Sequence, residues 1–303
     1  MALAYLGTSD FAATVLRRLV ADGEAPELIV TPPDRAQGRG RRLQPPPVAL
    51  AAAELGLPLH QTEDVNSVES VAALAAVDTD LAMVCAFGQL VGVELLERIE
   101  MLNVHPSLLP RWRGAAPIER AIMAGDERTG MAIIRLVETL DAGPVALCEE
   151  LAIDPGEHFD SLAARLAELG GELAVRAIRG HRAGTLCFIE QDEERTTYAA
   201  KIDPGERRLD PARSATELSR VVRALNPHIG AYLDLAEGGR LAVVSARPIE
   251  EGVAAGKLQS DGHRLLLGCG AGTLLLEEVR PAGKRAMPAA DYLRGHTVPR
   301  LAL

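Results

Sequence analysis

The sequence predicts an α/β protein with an open, mostly parallel sheet flanked by helices, followed by a smaller C-terminal β-domain. Short apolar runs alternate with helical patterns through the first half of the 303 residues, as in βαβ units. The run 81–87 is apolar without polar alternation, which is typical of a strand covered on both faces. Beyond residue 208, short strands are separated by Gly and Asp turns, which favours a small barrel of the oligonucleotide-binding (OB-like) kind. The first domain is therefore predicted to be Rossmann-like.

The elements of the first half follow from periodicity and from helix-start signals. An apolar stripe of Phe11, Val15 and Leu19 predicts the first helix, and Pro117 stands at the first turn of the fifth. The predicted helices span residues 10–21, 46–55, 67–77, 94–99, 117–124 and 161–178. The predicted strands span residues 3–6, 27–30, 81–87, 102–104, 131–137 and 145–153. We expect the last two strands to be antiparallel.

Composition along the chain predicts where the domains divide. The polar stretch 181–207 has no clear period and contains Gly and Pro, so we expect a first domain over 1–180, a linker over 181–207 and a C-terminal domain over 208–303. The C-terminal domain begins with a helix over 215–225, stopped by Asn226-Pro227. Its predicted strands span residues 231–235, 240–246, 264–268 and 273–279.

Bulk properties exclude several classes of protein. The net charge of −10 argues against a general nucleic-acid binder, although residues 208–303 carry 13 basic against 10 acidic side chains. No apolar run reaches the roughly 18 residues that span a bilayer, and no basic leader precedes the first strand. The four cysteines are scattered and no His/Cys cluster has metal-ligand spacing. We therefore expect a cytoplasmic, monomeric protein with no membrane partner and no metal.

One stretch carries most of the chemistry. Asn103 and His105 lie two residues apart at the end of a predicted strand, so their side chains leave the same face, and Asp141 follows in a turn before Ala-Gly. Each residue alone is more often structural: a hydrogen-bonded loop histidine, a turn-forming aspartate, a strand-end asparagine. Together they suit acyl transfer, because an amide can hold an oxyanion while a base and a carboxylate move a proton.

The neighbouring residues give a resemblance to a known family. The segment N-V-H-P-S-L-L-P-R-W-R-G-A-A-P-I (103–118), followed by L-D-A-G (140–143), resembles the formyltransferases that use 10-formyltetrahydrofolate. The resemblance extends to G-T-S-D-F-A (7–12), P-D-R-A-Q-G-R-G-R-R (33–42), Asn226-Pro227 and P-A-G-K-R-A-M (281–287), and so covers nearly the whole chain. It is closest to the branch of the family that formylates initiator methionyl-tRNA.

The resemblance implies roles for particular residues. Asn103, His105 and Asp141 fall on the family's catalytic residues. The folate co-substrate site falls on Ser107, Leu108, Leu109 and Pro110. The basic loop 34–42 falls on the insertion with which the tRNA-specific branch grips the acceptor end, so Arg39, Arg41 and Arg42 are expected to bind nucleic acid.

The sequence departs from the tRNA-specific pattern at Pro106, where Gly is usual. Pro106 has no N–H, so a contact of the family through that N–H is in doubt. Two alternatives stay open: a folate-dependent formyltransferase acting on a sugar-nucleotide or ribonucleotide amine, and a non-catalytic RNA-binding protein. A dinucleotide-dependent dehydrogenase would need G-x-G-x-x-G after the first strand, and Gly7-Thr8-Ser9-Asp10 lacks it.

Overall fold

The computed structural model describes residues 2–37 and 42–302, which fold into two compact units. The first unit comprises the chain up to Gly114 together with 128–152 and 163–199. The second comprises 115–127, 153–162 and the chain from Ala200 onward. Both units are thus discontinuous in sequence, and the domain limits at residues 180 and 208 stay a prediction.

The helices and strands are numbered in chain order. The strands are β1 Ala2–Gly7, β2 Leu28–Thr31, β3 Arg35–Gln37, β4 Arg42–Gln44, β5 Leu59–Gln61, β6 Thr79–Cys85, β7 Glu100–His105, β8 Arg128–Arg135, β9 Val145–Ala152, β10 Ala231–Asp234, β11 Arg240–Ile249, β12 Leu258–Asp261, β13 Arg264–Gly268, β14 Thr273–Pro281 and β15 Met287–Pro288. The helices are α1 Asp10–Ala21, α2 Pro47–Leu55, α3 Val68–Ala76, α4 Val93–Arg98, α5 Pro117–Ala124, α6 Phe159–Arg182, α7 Ala215–Leu225 and α8 Ala289–Gly295.

The first unit is built on a seven-stranded mixed sheet in the order β5-β2-β1-β6-β7-β8-β9. The strands from β5 to β7 are parallel, and β8 and β9 are antiparallel, as predicted. Residues 81–85 of β6 are all buried, which confirms a central strand covered on both faces. Helix α1 begins at the N-cap Ser9, whose hydroxyl accepts from the Ala12 N–H, and it buries the predicted Val15 and Leu19.

The second unit contains a six-stranded antiparallel sheet in the order β10-β11-β14-β13-β12, with β15 paired to β14. Helix α7 packs against β11 and β14, and its apolar face joins the strands in one hydrophobic core. The antiparallel C-terminal domain is confirmed, and with it the α/β fold class of the chain. The pairings describe a sheet, so its closure into a barrel stays a prediction.

The short elements escaped sequence analysis. The strands β3, β4, β5, β12 and β15 have two to four residues each, too few to show a period, and α8 has only seven. The basic stretch 34–42, expected to be a loop, in part forms a hairpin in which Gln37 pairs with Arg42. Helix α6 extends four residues beyond its expected C-terminal end, through Arg179-Gly-His-Arg. In the parts of the chain that the structure describes, every helix is too short or too polar to cross a bilayer.

The start of α7 gives a pH-dependent stability that can be measured. Ser214 and Glu217 form a reciprocal capping box, and the Ser214 N–H, the Ser214 hydroxyl and then Arg213 lower the pKa of Glu217 from 4.5 to about 2. Because the folded-state pKa is depressed, this stabilisation is complete above about pH 4.5 and is lost as the pH falls toward 2. We expect Glu217→Gln to lower the unfolding free energy more at pH 5 than at pH 3 in urea titrations. Glu250→Gln, an exposed glutamate outside any cap, is the control, and an equal effect of Glu217→Gln at both pH values would contradict this account.

Candidate active site

Strand β7 and the β8–β9 connection bring the three predicted catalytic side chains together. The Asn103 amide nitrogen lies 3.3 Å from Oδ1 of Asp141, and Nδ1 of His105 lies 3.6 Å from Oδ2 of the same carboxylate. Because one carboxylate reaches both residues of β7, the two side chains share a face, as their spacing predicts. Asp141 is 38 residues from Asn103 in the chain, so the folding of the 136–144 connection is what completes the cluster.

The hydrogen bonds of His105 define its tautomer. Its Nε2 lies 3.0 Å from the Trp112 carbonyl oxygen, which can only accept, so Nε2 carries the hydrogen. Nδ1 then faces Asp141, at a distance too long for a good hydrogen bond but short enough for electrostatic attraction once the ring is positive. The ring is buried and its donor is directed at the protein, so donation to a substrate oxygen would require release from Trp112.

Two hydrogen bonds hold the carboxylate of Asp141, whose backbone conformation is unusual. Its φ is +50°, in the left-handed region that Asp tolerates better than most residues. Its Oδ2 accepts the Gly114 N–H at 2.8 Å, and its Oδ1 accepts from Asn103. Trp112 has a φ of +65°, and Ala86, directly after β6, has a φ of +44°. Such strained residues cluster where a site requires them.

Asn103 retains a donor for a ligand. One N–H of its amide is directed at Asp141, and within residues 2–37 and 42–302 the second N–H has no protein acceptor. The side chain is half-buried, so this N–H is accessible to a small group. An amide N–H that is fixed in position and still unpaired is what stabilises negative charge on a carbonyl oxygen.

Two glycines of the motifs, Gly114 and Gly143, lie where a larger residue would clash with the backbone. A Cβ at Gly114 would lie 2.8 Å from the Ala199 carbonyl oxygen, and the φ of Gly114 is +119°. A Cβ at Gly143 would lie 1.8 Å from the Arg135 carbonyl oxygen. These glycines therefore let the chain approach closely enough to seat Asp141.

Sequence analysis missed a buried arginine and its partners. Arg113 is only 2% exposed, and it donates to the Gln191 side-chain oxygen at 3.0 Å and to both Glu193 oxygens at 3.0 and 2.7 Å. Gln191 in turn donates to the carbonyl oxygens of Asp141 and Gly143, at 2.8 and 2.7 Å. The hydrogen bonds from Arg113 lower the pKa of Glu193, and Glu193 raises the pKa of Arg113. The segment expected to be a linker thus positions the turn of Asp141.

The residues expected to line a folate site form a compact loop after β7. The Ser107 hydroxyl donates to the Arg111 carbonyl oxygen at 2.7 Å and is fully buried, so it supports the loop itself. Leu108, Leu109 and Pro110 are half-buried, and Leu108 packs over Gly130. Of these four, the three apolar residues therefore retain surface that could contact a ligand.

Of the three residues predicted to contact nucleic acid, Arg42 lies in the described part of the chain. Arg42 begins β4, and its side chain is exposed. Arg39 and Arg41 lie outside the described residues. In the described parts of the chain, no three His, Cys, Asp or Glu side chains are grouped so that they could hold a metal ion.

Comparison with known proteins identifies the family. The profile "Formyl transferase" matches residues 1–178, and the profile "Formyl transferase, C-terminal domain" matches residues 201–297. The chain belongs to the formyl transferase family. The Asn103, His105 and Asp141 cluster lies within the first of these two regions.

Curated members of this family match almost the full length. The methionyl-tRNA formyltransferase of Parvibaculum lavamentivorans is 41% identical over 300 residues, which cover 97% of each chain. The methionyl-tRNA formyltransferase of Methylococcus capsulatus is 41% identical over 302 residues, which cover 98% of each chain. Identity at this level over both units goes beyond a shared fold.

Solved structures of this fold are more distant in sequence. HypX from Aquifex aeolicus, in complex with tetrahydrofolic acid, matches with a TM-score of 0.68 at 19% identity, over 97% of this chain and 47% of HypX. The sugar 3N-formyl transferase WlaRD matches with a TM-score of 0.68 at 12% identity, over 94% of this chain and 99% of WlaRD. These likenesses support the fold.

Gln191 offers a test of how the turn is positioned. Gln191→Leu removes both hydrogen bonds to the Asp141 turn, and Gln191→Glu removes them while keeping an acceptor for Arg113. Because small displacements of catalytic groups are costly, we expect kcat of formyl transfer to fall about 10- to 100-fold in both variants, with KM changing less. Gln259→Leu, on the exposed strand β12, is the control. If both Gln191 variants kept the wild-type kcat and unfolding temperature, the position of the Asp141 turn would not depend on Gln191.

Proposed function

We propose that the chain transfers the formyl group of 10-formyltetrahydrofolate to the α-amino group of initiator methionyl-tRNA, in the cytoplasm and as a monomer. The observation that carries the proposal is the Asn103, His105 and Asp141 cluster with its unpaired amide N–H. The acceptor follows from the curated relatives, which match both units at 41% identity.

Asn103 is the proposed oxyanion donor. When the amine nitrogen bonds to the formyl carbon, negative charge develops on the formyl oxygen. The second N–H of the Asn103 amide donates to that oxygen, while Asp141 fixes the amide through the first. A donor of this kind is typically worth about 3 kcal/mol of the barrier.

His105 and Asp141 are proposed to assist the transfer of the proton from the amine to N10 of the folate. The carbon bond to N10 of the folate breaks as N10 takes up the proton that the amine loses. The unprotonated Nδ1 of His105 is the base of the pair, and the carboxylate of Asp141 at 3.6 Å stabilises the positive ring. Since Asp141 contacts both other residues, the three act as a unit and their separate losses are not additive.

The folate co-substrate supplies the formyl group, and the residues around Asn103 fit it. The amide N–H suits a carbonyl oxygen, and the half-buried Leu108, Leu109 and Pro110 offer apolar contact to a pterin. The fold supports this assignment, because HypX, which shares it, was solved with tetrahydrofolic acid.

Formyltransferases differ in the amine that accepts the formyl group, so the acceptor is what the test must establish. The test supplies 10-formyltetrahydrofolate with charged initiator tRNA, glycinamide ribonucleotide or an amino-sugar nucleotide, and measures the formylated product. We expect kcat/KM for the charged tRNA to exceed that for either small amine by at least about 100-fold, since the much larger tRNA offers more binding energy from its non-reacting parts. Preference for a small amine would reassign the substrate, and formylation of none of them would leave only an RNA-binding protein.

The basic stretch 34–42 gives a separate test of tRNA binding. Arg39, Arg41 and Arg42 are proposed to contact phosphates, in a chain whose net charge is −10. We expect Arg42→Ala to weaken tRNA binding and to lower the slope of log K against log salt by about 1, with Arg39→Ala acting alike. Arg17→Ala, on α1, is the control. A slope unchanged in both variants would remove these arginines from the interface and leave formyl transfer intact.

A further inference from the structure

A cavity of about 430 Å³ lies wholly within the second unit, between α7, β11, β14 and the segment 156–158. Arginine and hydroxyl side chains dominate its lining. Arg220 and Arg223 come from α7, and Arg247 comes from β11. Thr216, Ser219 and Ser245 add hydroxyls, and His158 and Glu277 complete the polar set. Pockets of this size hold small organic ligands rather than a few waters.

The cavity carries positive charge that the protein does not neutralise. Arg247 pairs with Glu277, which also accepts from the Ser245 hydroxyl at 2.9 Å. Arg220 and Arg223 have no carboxylate within hydrogen-bond distance in the parts of the chain that the structure describes. Arg220 donates to the Ala124 carbonyl oxygen at 3.3 Å, and Arg223 donates to the Glu157 carbonyl oxygen at 2.7 Å. Each guanidinium has five N–H donors, so most of them remain available.

The two arginines also repel each other. They are three residues apart on α7, a spacing that places side chains side by side on one helix face. Burial, and then the charge of Arg220, lower the pKa of Arg223, against the opposite influence of Glu157. Burial likewise lowers the pKa of His158, with Arg223 adding to this and Asp160 and Glu277 opposing it. Whether neutral or protonated, the imidazole of His158 supplies no negative counter-charge to the two arginines.

We propose that this cavity binds a phosphate group, held by Arg220 and Arg223 in forked hydrogen bonds and by the hydroxyl of Thr216. Guanidinium is the side-chain group best matched to phosphate oxygens, and an anion of charge −2 would balance the two unpaired arginines. The Ser219 hydroxyl donates to the Ala246 carbonyl oxygen at 3.1 Å and so supports the cavity wall, while the exposed Thr216 can turn toward the ligand. The phosphate comes either from a free phosphate ester or from an RNA backbone.

The test is calorimetric titration of the full-length protein with inorganic pyrophosphate at low ionic strength. Neither folate nor a formyl acceptor is present, so the outcome is independent of the formyl-transfer proposal. We expect saturable binding to one site, weakened at least about tenfold by Arg223→Gln and further by Arg220→Gln/Arg223→Gln. Arg300→Gln, 84% exposed in the same unit, is the control. If Arg223→Gln does not fold, Arg220→Gln alone, on the half-exposed partner, takes its place.

A second arm identifies the source of the phosphate. Binding of a tRNA transcript is measured with the same variants, with and without pyrophosphate as competitor. Weaker tRNA binding in the arginine variants, together with competition, assigns the site to an RNA phosphate. Unchanged tRNA binding with lost pyrophosphate binding assigns it to a free phosphate ester. Absence of saturable pyrophosphate binding to the wild type, or equal binding by the double variant, would overturn the proposal.

Discussion

The carboxylate of Asp141 is the interaction on which the site depends. It accepts from the backbone of Gly114 and from the amide of Asn103, and it faces the ring of His105. Three stretches of chain, the end of β7, the loop after it and the β8–β9 connection, therefore meet at two oxygen atoms. A group in this position sets the orientation of the amide and the environment of the imidazole at once.

The surrounding structure serves mainly to hold that carboxylate in place. A left-handed backbone at Asp141 is unfavourable, so it persists only where other contacts fix it. The Gln191 amide nitrogen donates to the carbonyl oxygens of Asp141 and Gly143, and Arg113 donates to the Gln191 side-chain oxygen. Motif residues that no substrate need touch, such as Gly114 and Gly143, are explained by this requirement for close approach.

What the sequence could predict followed from periodicity and spacing. The parallel strands and their flanking helices have clear patterns, and the separation of two residues places Asn103 and His105 on one face of β7. The proximity of Asp141 could be expected only through the family resemblance, because no local rule joins residues 103 and 141.

What the sequence could not predict has physical reasons. Arg113 and Glu193 are 80 residues apart, and an arginine in a loop gives no sign that it will be buried. The strands β3 and β4 are three residues each, so the hairpin carrying Arg42 has no period to detect. The cavity beside α7 depends on how the 156–158 segment packs against that helix, which composition does not encode.

The most direct measurement is the single-turnover rate of formyl transfer to methionyl-tRNA by Asn103→Ala. The control is Asn66→Ala, whose amide bonds Asp64, Leu90 and Gly92 rather than the catalytic cluster. If the unpaired N–H of Asn103 stabilises the oxyanion, the Asn103→Ala rate falls about 10²- to 10³-fold. The unfolding temperature and the affinity for tetrahydrofolate then match those of the wild type. An Asn103→Ala rate within about twofold of the wild-type rate would contradict the account, because removal of an oxyanion donor should cause a far larger loss.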